Sequence, residues 1–445
     1  MKASRTAGFH GFRRYQLMFC LLLLLAPMSA SQDNNNGNGS EGRDSQILIL
    51  QQGNPIEREM AKHQSHLYEV KLLTGQYLHV VIEQQSIDVM VVLFSPDGKQ
   101  LVENNYLSTV PGDELFFWIA EKDGNYQLQL RPARKQTTGR YKIRIEALRA
   151  ATPSDNDRID AEKAFSQGDR LQIKDTRESI QEAIKKFEAA LPRFQAIGDR
   201  TGAAITLNKL GIGYNRLGDK KKALQLYNQA LPITRSIGDR TGESAVLNNI
   251  ANIYSSSGEY QKAIEYLTEA LKVSQISGDR LKECQVLNNL GSAYSYLGDK
   301  QKAIDYYKQS LQIKRALGNR EEELDTLSNM AILYDFLGEK QQSLDCYNQQ
   351  LEILRELNKQ TEQIYIFTAI GKIYNSLGEY RKALDYYDQA LSILRKTKRP
   401  RYEADILTEI GRAYDSLGKH EKALEYYNQT LLILHGLGDY KEDIL

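Results

Sequence analysis

Three cysteines and six histidines in 445 residues leave little from which to build thiol or imidazole chemistry. Cys20 falls in the apolar N-terminal run, so Cys284 and Cys346 stand alone and far apart, and they make no disulfide framework. Both lie in helical segments, where a small buried residue is the plain reading. Charge of one sign is lacking too. The formal net charge is +1, and it becomes −3 once the first thirty residues, with Lys2, Arg5, Arg13 and Arg14 and no acid, are set aside. That balance excludes the basic footprint of a nucleic-acid binder. No Gly-rich phosphate loop, His-Glu-x-x-His pair or Gly-x-Ser-x-Gly elbow occurs. His63 and His66 precede a strand without a third ligand, which makes them a solvated loop rather than a metal pair. His420 in a turn and His435 near a helix end read as surface residues. No catalytic residue, metal ligand or cofactor is assigned, and the chain reads as a non-enzyme.

Long hydrophobic runs are equally scarce. Leu17 to Ala26 is the main one, too short for a comfortable membrane span. Basic residues precede it, and Ser29, Ala30 and Ser31 follow it, which is the order of a secretory signal. Residues 1–30 are therefore expected to be cleaved as a signal, in preference to being kept as an anchor. The protein is then exported, periplasmic or extracellular, with no membrane span after cleavage. Residues 31–45, "SQDNNNGNGSEGRDS", have almost nothing to bury and form a flexible tether.

What the chain does have comes in two blocks. Over residues 46–150, short runs with period-two character, "LYEVKL", "YLHVVIE", "DVMVVLF", "LFFWIA", "YQLQL" and "YKIRIEA", alternate with turn signals such as Ser95-Pro96-Asp97-Gly98 and Asp123-Gly124-Asn125. About seven antiparallel strands in a sandwich are expected. From Ala151 onward the pattern is helical and repeats every forty residues. Leu210-Gly211, Ile250-Ala251, Leu290-Gly291, Met330-Ala331, Ile370-Gly371 and Ile410-Gly411 share one column. A Tyr follows each, then a turn Gly, then Ala223, Ala263, Ala303, Ser343, Ala383 and Ala423, and four residues later Tyr227, Leu267, Tyr307, Tyr347, Tyr387 and Tyr427. Small residues beside large ones let antiparallel helices approach closely, with the rings filling between them. Helical spacing assigns the tyrosines to the core rather than to base stacking.

Gly-Asp-Arg at 198–200, 238–240 and 278–280 looks like a charged site copied along the chain. It reads better as punctuation, a Gly closing one helix and an Asp capping the next. Residues 151–197 make a degenerate first helix pair, residues 198–437 six forty-residue repeats, and residues 438–445 the start of an incomplete one. Ile410, Tyr414 and Leu431 would then lie on an uncovered end face, which calls for a C-terminal stacking partner or a missing C-terminal domain.

The functional candidate is the wall made by the first helix of each repeat. Asn208, Asn248, Asn288, Ser328, Thr368 and Thr408 share one position in the period, and Asn215, Ser255, Ser295, Asp335, Asn375 and Asp415 stand seven residues on, on the same face. Two readings stand: a groove whose amides and hydroxyls bind the backbone of an extended peptide or protein partner, and an ordinary polar surface.

The repeat columns resemble tetratricopeptide repeats. Those of "LGDKQKAIDYYKQSL" type are similar to the repeats of kinesin light chains. "LLTGQYLHVVIEQQSIDVMVVLFSPDGKQL", "GNYQLQLRP" and "TTGRYKIRIEALRAATPSD" resemble the bacterial pre-peptidase C-terminal type of β-sandwich. With the junction "RIEALRAATPSDNDRIDAEKAF", the whole order resembles the N-terminal part of bacterial CHAT-domain proteins. The implied fold is multidomain, an all-β sandwich followed by an all-α solenoid. In that family a caspase-like domain with a His and Cys pair follows the repeats. No such domain is present here, so the resemblance implies an interaction scaffold. Its alternative is the regulatory part of a protease whose catalytic domain is truncated or separately encoded.

Overall fold

The computed structural model describes residues 43–85, 87–104, 113–133, 138–397 and 399–437. The expected signal, the tether up to residue 42 and the start of the incomplete repeat lie outside the described residues.

Nine strands form two sheets among the described residues. They are β1 (Arg43–Ile49), β2 (Ile56–Met60), β3 (Ser65–Leu72), β4 (Gln76–Gln84), β5 (Val89–Phe94), β6 (Gln100–Asn104), β7 (Asp113–Ile119), β8 (Gly124–Pro132) and β9 (Gly139–Ala150). One sheet runs β1-β3-β8-β5-β6 and the other β2-β9-β4-β7. Alternation sends Tyr68, Val70 and Leu72 of one sheet and Leu78, Val80 and Ile82 of the other into a single core. The expectation of about seven antiparallel strands needs two corrections: short β2 lacks a strong apolar face, and β1 pairs with β3 in parallel. His66 needs a third. The period that buries Tyr68 and Val70 also buries His66, inside β3 rather than in a solvated loop. Its Nδ1 lies 2.6 Å from Tyr141 Oη, which lies 2.6 Å from Tyr68 Oη.

Fourteen helices follow among the described residues, paired antiparallel. The first pair is α1 (Pro153–Ile173) and α2 (Arg177–Ala196). The first helices of the later pairs are α3 (Arg200–Arg216), α5 (Arg240–Ser256), α7 (Arg280–Leu297), α9 (Arg320–Leu337), α11 (Gln360–Ser376) and α13 (Pro400–Ser416). Their second helices are α4 (Lys220–Ile237), α6 (Tyr260–Ser277), α8 (Lys300–Ala316), α10 (Lys340–Glu356), α12 (Tyr380–Thr397) and α14 (His420–Gly436). The repeated triplet is punctuation. Gly238 and Gly278 end their helices at φ 74° and 71°, a conformation that other residues adopt only with strain. Asp199, Asp239 and Asp279 then accept hydrogen bonds of 2.8, 2.8 and 3.0 Å from backbone N–H groups of the next first turn. Asn319 occupies the same place without a side-chain cap bond.

Within a repeat the tightest contact is a small residue of the first helix under a ring of the second. A methyl built on Gly211, Gly291, Gly371 or Gly411 would lie 2.3, 2.7, 2.4 or 2.5 Å from the ring of Tyr227, Tyr307, Tyr387 or Tyr427. Where the chain has Ala251 instead, the facing residue is the slimmer Leu267, and both are fully buried. The fourth repeat departs from this pairing, with Ala331 opposite Tyr347. A second ring contact recurs beside the first: Tyr254 stacks on Tyr266, Tyr294 on Tyr306, Tyr374 on Tyr386 and Tyr414 on Tyr426, with centroids 5.5, 5.3, 5.6 and 5.4 Å apart.

The sandwich joins the helices through packed contacts. Tyr77, Phe117 and Ile159 of α1 form a small apolar cluster. Arg158 lies 5.0 Å over the Phe117 ring and reaches Asp199 Oδ2 at 2.8 Å, while Lys163 sits 5.3 Å over Trp118. Asp155 caps α1 with Thr152 and takes a two-pronged bond from Arg149 at 2.6 and 3.0 Å. Burial works against this carboxylate, but hydrogen bonds from Arg149 and Thr152 draw its pKa down to about 2. At the other end, Ile410 is fully buried in the core shared with the preceding repeats rather than on an uncovered face, and Tyr414 is half-buried against that core, whereas Leu431 is exposed.

The small-residue contact predicts that Gly371→Ala overpacks the fifth repeat. It should destabilise the protein by about 1–3 kcal/mol in denaturant unfolding. Adding Tyr387→Leu, which copies the Ala251 and Leu267 pair, should recover part of that loss. A Gly371→Ala protein as stable as the parent would remove this contact from the account.

Candidate functional site

First helices of successive repeats touch one another: α3 meets α5, α5 meets α7, α7 meets α9, and α11 meets α13. They therefore make a wall that runs unbroken from α3 to α9 and again over α11 and α13, and the two polar columns lie on these helices. Asn208 Oδ1 accepts from Asn249 Nδ2 of the next repeat at 2.9 Å, and Asn248 Oδ1 accepts from Asn289 Nδ2 at 2.8 Å. Asn289 Nδ2 also lies 3.3 Å from Asn252 Oδ1. The pairing follows from geometry. One residue further along a helix is about 100° round its axis, so the residue just after the column position turns back to face the preceding repeat.

At the third step the donor comes from another position: Asn329 follows Asn289 by forty residues, but a hydroxyl three residues earlier makes the bond. Thr326 Oγ1 donates to Asn288 Oδ1 at 3.0 Å and itself accepts from Lys314 Nζ at 2.9 Å. Lys314 is buried, with a second bond of 2.9 Å to the Glu322 carbonyl, and burial lowers its pKa. Beyond this point the column turns inward. Ser328 donates to Gln350 Oε1 at 2.8 Å, Thr368 to the Ile364 carbonyl at 2.8 Å and Thr408 to the Ala404 carbonyl at 2.9 Å. Hydroxyls this short reach back to their own helix or pair instead of across the wall.

The second column is less engaged. Asp335 holds Lys340 at 2.6 Å, and exposed Asp415 lies 2.7 Å from His420 Nδ1. Asn215, Ser255 and Ser295 make no side-chain hydrogen bond among the described residues. Asn375 Oδ1 and Gln350 Nε2 are buried and unpaired among them. The structure thus joins Asn208, Asn248 and Asn288 into a bridged row and leaves the remaining column residues in separate local settings. Asn249, Asn289 and Thr326 belong to that row and stand outside the two sequence columns. The doublets Asn248-Asn249 and Asn288-Asn289 were the available signal.

Each bridging amide still has capacity. Asn208 and Asn248 spend their carbonyl oxygens and keep their Nδ2 donors, while Asn249 and Asn289 spend an Nδ2 hydrogen and keep Oδ1. Donors and acceptors therefore alternate along half-buried wall held by α3, α5 and α7. That arrangement suits a main chain, which offers the same alternation.

The tetratricopeptide repeat family model matches residues 177–236, 242–316 and 361–434, so the helical part is a stack of tetratricopeptide repeats. Among solved structures, the chain is similar to a signal transduction ATPase with numerous domains and a tetratricopeptide repeat sensor, from Pyrococcus horikoshii. The identity is 17%, over 64% of this chain and 45% of that one, with a TM-score of 0.53. It is also similar to the apo form of RapI, at 16% identity over 63% of this chain and 99% of that one, TM-score 0.45. A putative kinesin light chain from Podosopora anserina with nearly identical TPR-like repeats is 20% identical over 44% of this chain and 96% of that one, TM-score 0.39. No curated protein matches the sequence. The first similarity is one of fold. No described helix is long and apolar enough to cross a membrane.

If the amide bridges help hold successive repeats together, Asn289→Ala should lower stability by about 1 kcal/mol. Ser295→Ala, on the same helix but unbridged, should stay within about 0.5 kcal/mol of the parent. Equal unfolding midpoints for both variants would show that the bridges carry no stability.

Proposed function

We propose that this tetratricopeptide-repeat chain is an exported, non-enzymatic scaffold whose first-helix wall binds an extended segment of a protein partner. The bridged amide row carries the reading. Its side chains are oriented by one another before any ligand arrives, which reduces the ordering cost of binding, and the donors and acceptors left over match a peptide backbone rather than a particular sequence. The segment order keeps the regulatory part of a CHAT-type protease, with a pre-peptidase-like sandwich, as the alternative. The cysteines favour the scaffold: burial pushes the Cys346 thiol up to about 11 and raises that of Cys284, the reverse of a poised nucleophile.

Replacing Asn208 and Asn248 together by Asp tests the wall. The change keeps an oxygen for Asn249 and Asn289 to bond and removes the free Nδ2 donors. A peptide selected from a displayed random library on the full chain should bind the variant at least about tenfold more weakly, the loss of one to two hydrogen bonds. Undiminished affinity would sink the assignment. Export has its own check: the N-terminus of protein recovered from expressing cells should begin at Ser31 or Gln32, and a retained Met1 in an envelope or culture fraction would argue for an anchor instead.

A further inference from the structure

Four of the repeats share a ring stack with a cation over it. Lys262, Lys302, Lys382 and Lys422 lie 5.2, 5.4, 5.2 and 5.5 Å over Tyr254, Tyr294, Tyr374 and Tyr414, and the other partner in each stack is the second-helix tyrosine described above. The fourth repeat has the first-helix ring, Tyr334, but neither partner. Counting forty residues from its siblings, the position of the stacking tyrosine is Cys346 and that of the lysine is Gln342. In the first of the six repeats Leu226 stands at the stacking position, so the fourth has the smallest side chain there.

An open cavity of about 390 Å³ lies at this place, lined by Tyr334, Gln342 and Cys346 among others. Tyr334, Met330 and Cys346 form its floor, and Gln312, Gln342 and Asp345 are on its rim. It opens between the second helices α8 and α10, so it is separate from the amide wall and does not rest on the function proposed for that wall. Tyr334 has no ring partner among the described residues. The cation over its ring is Lys308 of α8, whose Nζ is 6.0 Å from the centroid, and the Tyr334 side chain is 8% exposed.

We infer that this cavity is a receptor slot for an aromatic side chain, tyrosine above others, presented by a protein partner. The occupant is defined by the siblings: the same backbone, one repeat before and one after, seats a tyrosine ring on the corresponding first-helix ring at 5.3 and 5.6 Å. An incoming ring would gain the offset stacking that Tyr334 lacks, over the apolar surface of Met330 and Cys346. The side-chain amides of Gln312 and Gln342 carry no hydrogen bond among the described residues. Standing at the mouth, they are placed to bond the main chain that delivers the ring, which favours a polypeptide over a free small aromatic.

The test uses the full chain and three probes: the capped tripeptide Gly-Tyr-Gly, its Gly-Leu-Gly counterpart and p-cresol. Ligand-observed NMR should give saturable millimolar binding of the tyrosine peptide, with the leucine peptide at least about tenfold weaker. The double variant Gln342→Lys with Cys346→Tyr rebuilds the sibling stack from within. It should retain its helix content and bind the tyrosine peptide at least about tenfold more weakly. If that variant misfolds, alkylation of the parent decides: the tyrosine peptide should slow modification of Cys346, read separately from Cys284 by mass spectrometry, more than the leucine peptide does. Equal binding by the parent and the folded variant, or equal protection by the two peptides, overturns the slot. Binding of p-cresol without binding of the tyrosine peptide overturns the assignment to a partner's side chain.

Discussion

The contact on which the solenoid depends is a ring of the second helix lying against a first-helix residue with little or no side chain. Gly371 under Tyr387 is the clearest case, since both helices can come this close only because no Cβ intervenes. Close approach within each pair fixes where the other faces point. The two polar columns seven residues apart are then carried to the wall, the stacked tyrosines to the side between second helices, and the Leu or Ile beside each Gly into the core.

Two kinds of polar work are distributed along this frame. Early in the stack, asparagines bond across repeats, so that Asn249 and Asn289 stiffen the same row they belong to. Later, serines and threonines satisfy themselves inside their own pair, and the wall is shaped by charged groups such as Asp335 with Lys340. The wall is therefore uniform in position but not in chemistry. The fourth repeat stands at the change: Thr326 closes the amide row, Ser328 opens the inward-facing run, and Cys346 leaves a ring without its partner.

Most of the fold was legible because it is written in local chemistry. Gly238 and Asp239 announce a helix end and a helix start without reference to anything distant, and a forty-residue repetition of Leu-Gly, Tyr and Ala leaves one way to pair the helices. The period-two runs likewise marked most strands. What escaped depended on relations between elements. Parallel pairing of β1 with β3 is a matter of topology, and no residue type signals it. His66 read as loop because a histidine breaks an apolar alternation, although Tyr141 supplies the polar partner that lets it be buried. Asn249 and Asn289 differ from the column residues by one place, and only the rotation between neighbouring repeats shows that this place faces backward. The four tyrosine stacks were seen in sequence as core packing, but a stack that lacks a ring is visible only once the ring beneath it has coordinates.

The pairing of Gly with Tyr and of Ala with Leu also bears on how such a chain can change length. Both members of each pair lie in the same repeat, sixteen residues apart, as Gly371 and Tyr387 do. Duplicating or deleting a block of forty residues in the gene keeps every such pair intact, whichever repeat is copied and wherever it lands. The amide bridges lack this protection, because each joins a residue of one block to a residue of the next. A transposed repeat would arrive with its core already matched and its wall severed on both sides. The architecture thus lets the stack gain or lose units readily, while the order of units along the wall is what descent must preserve.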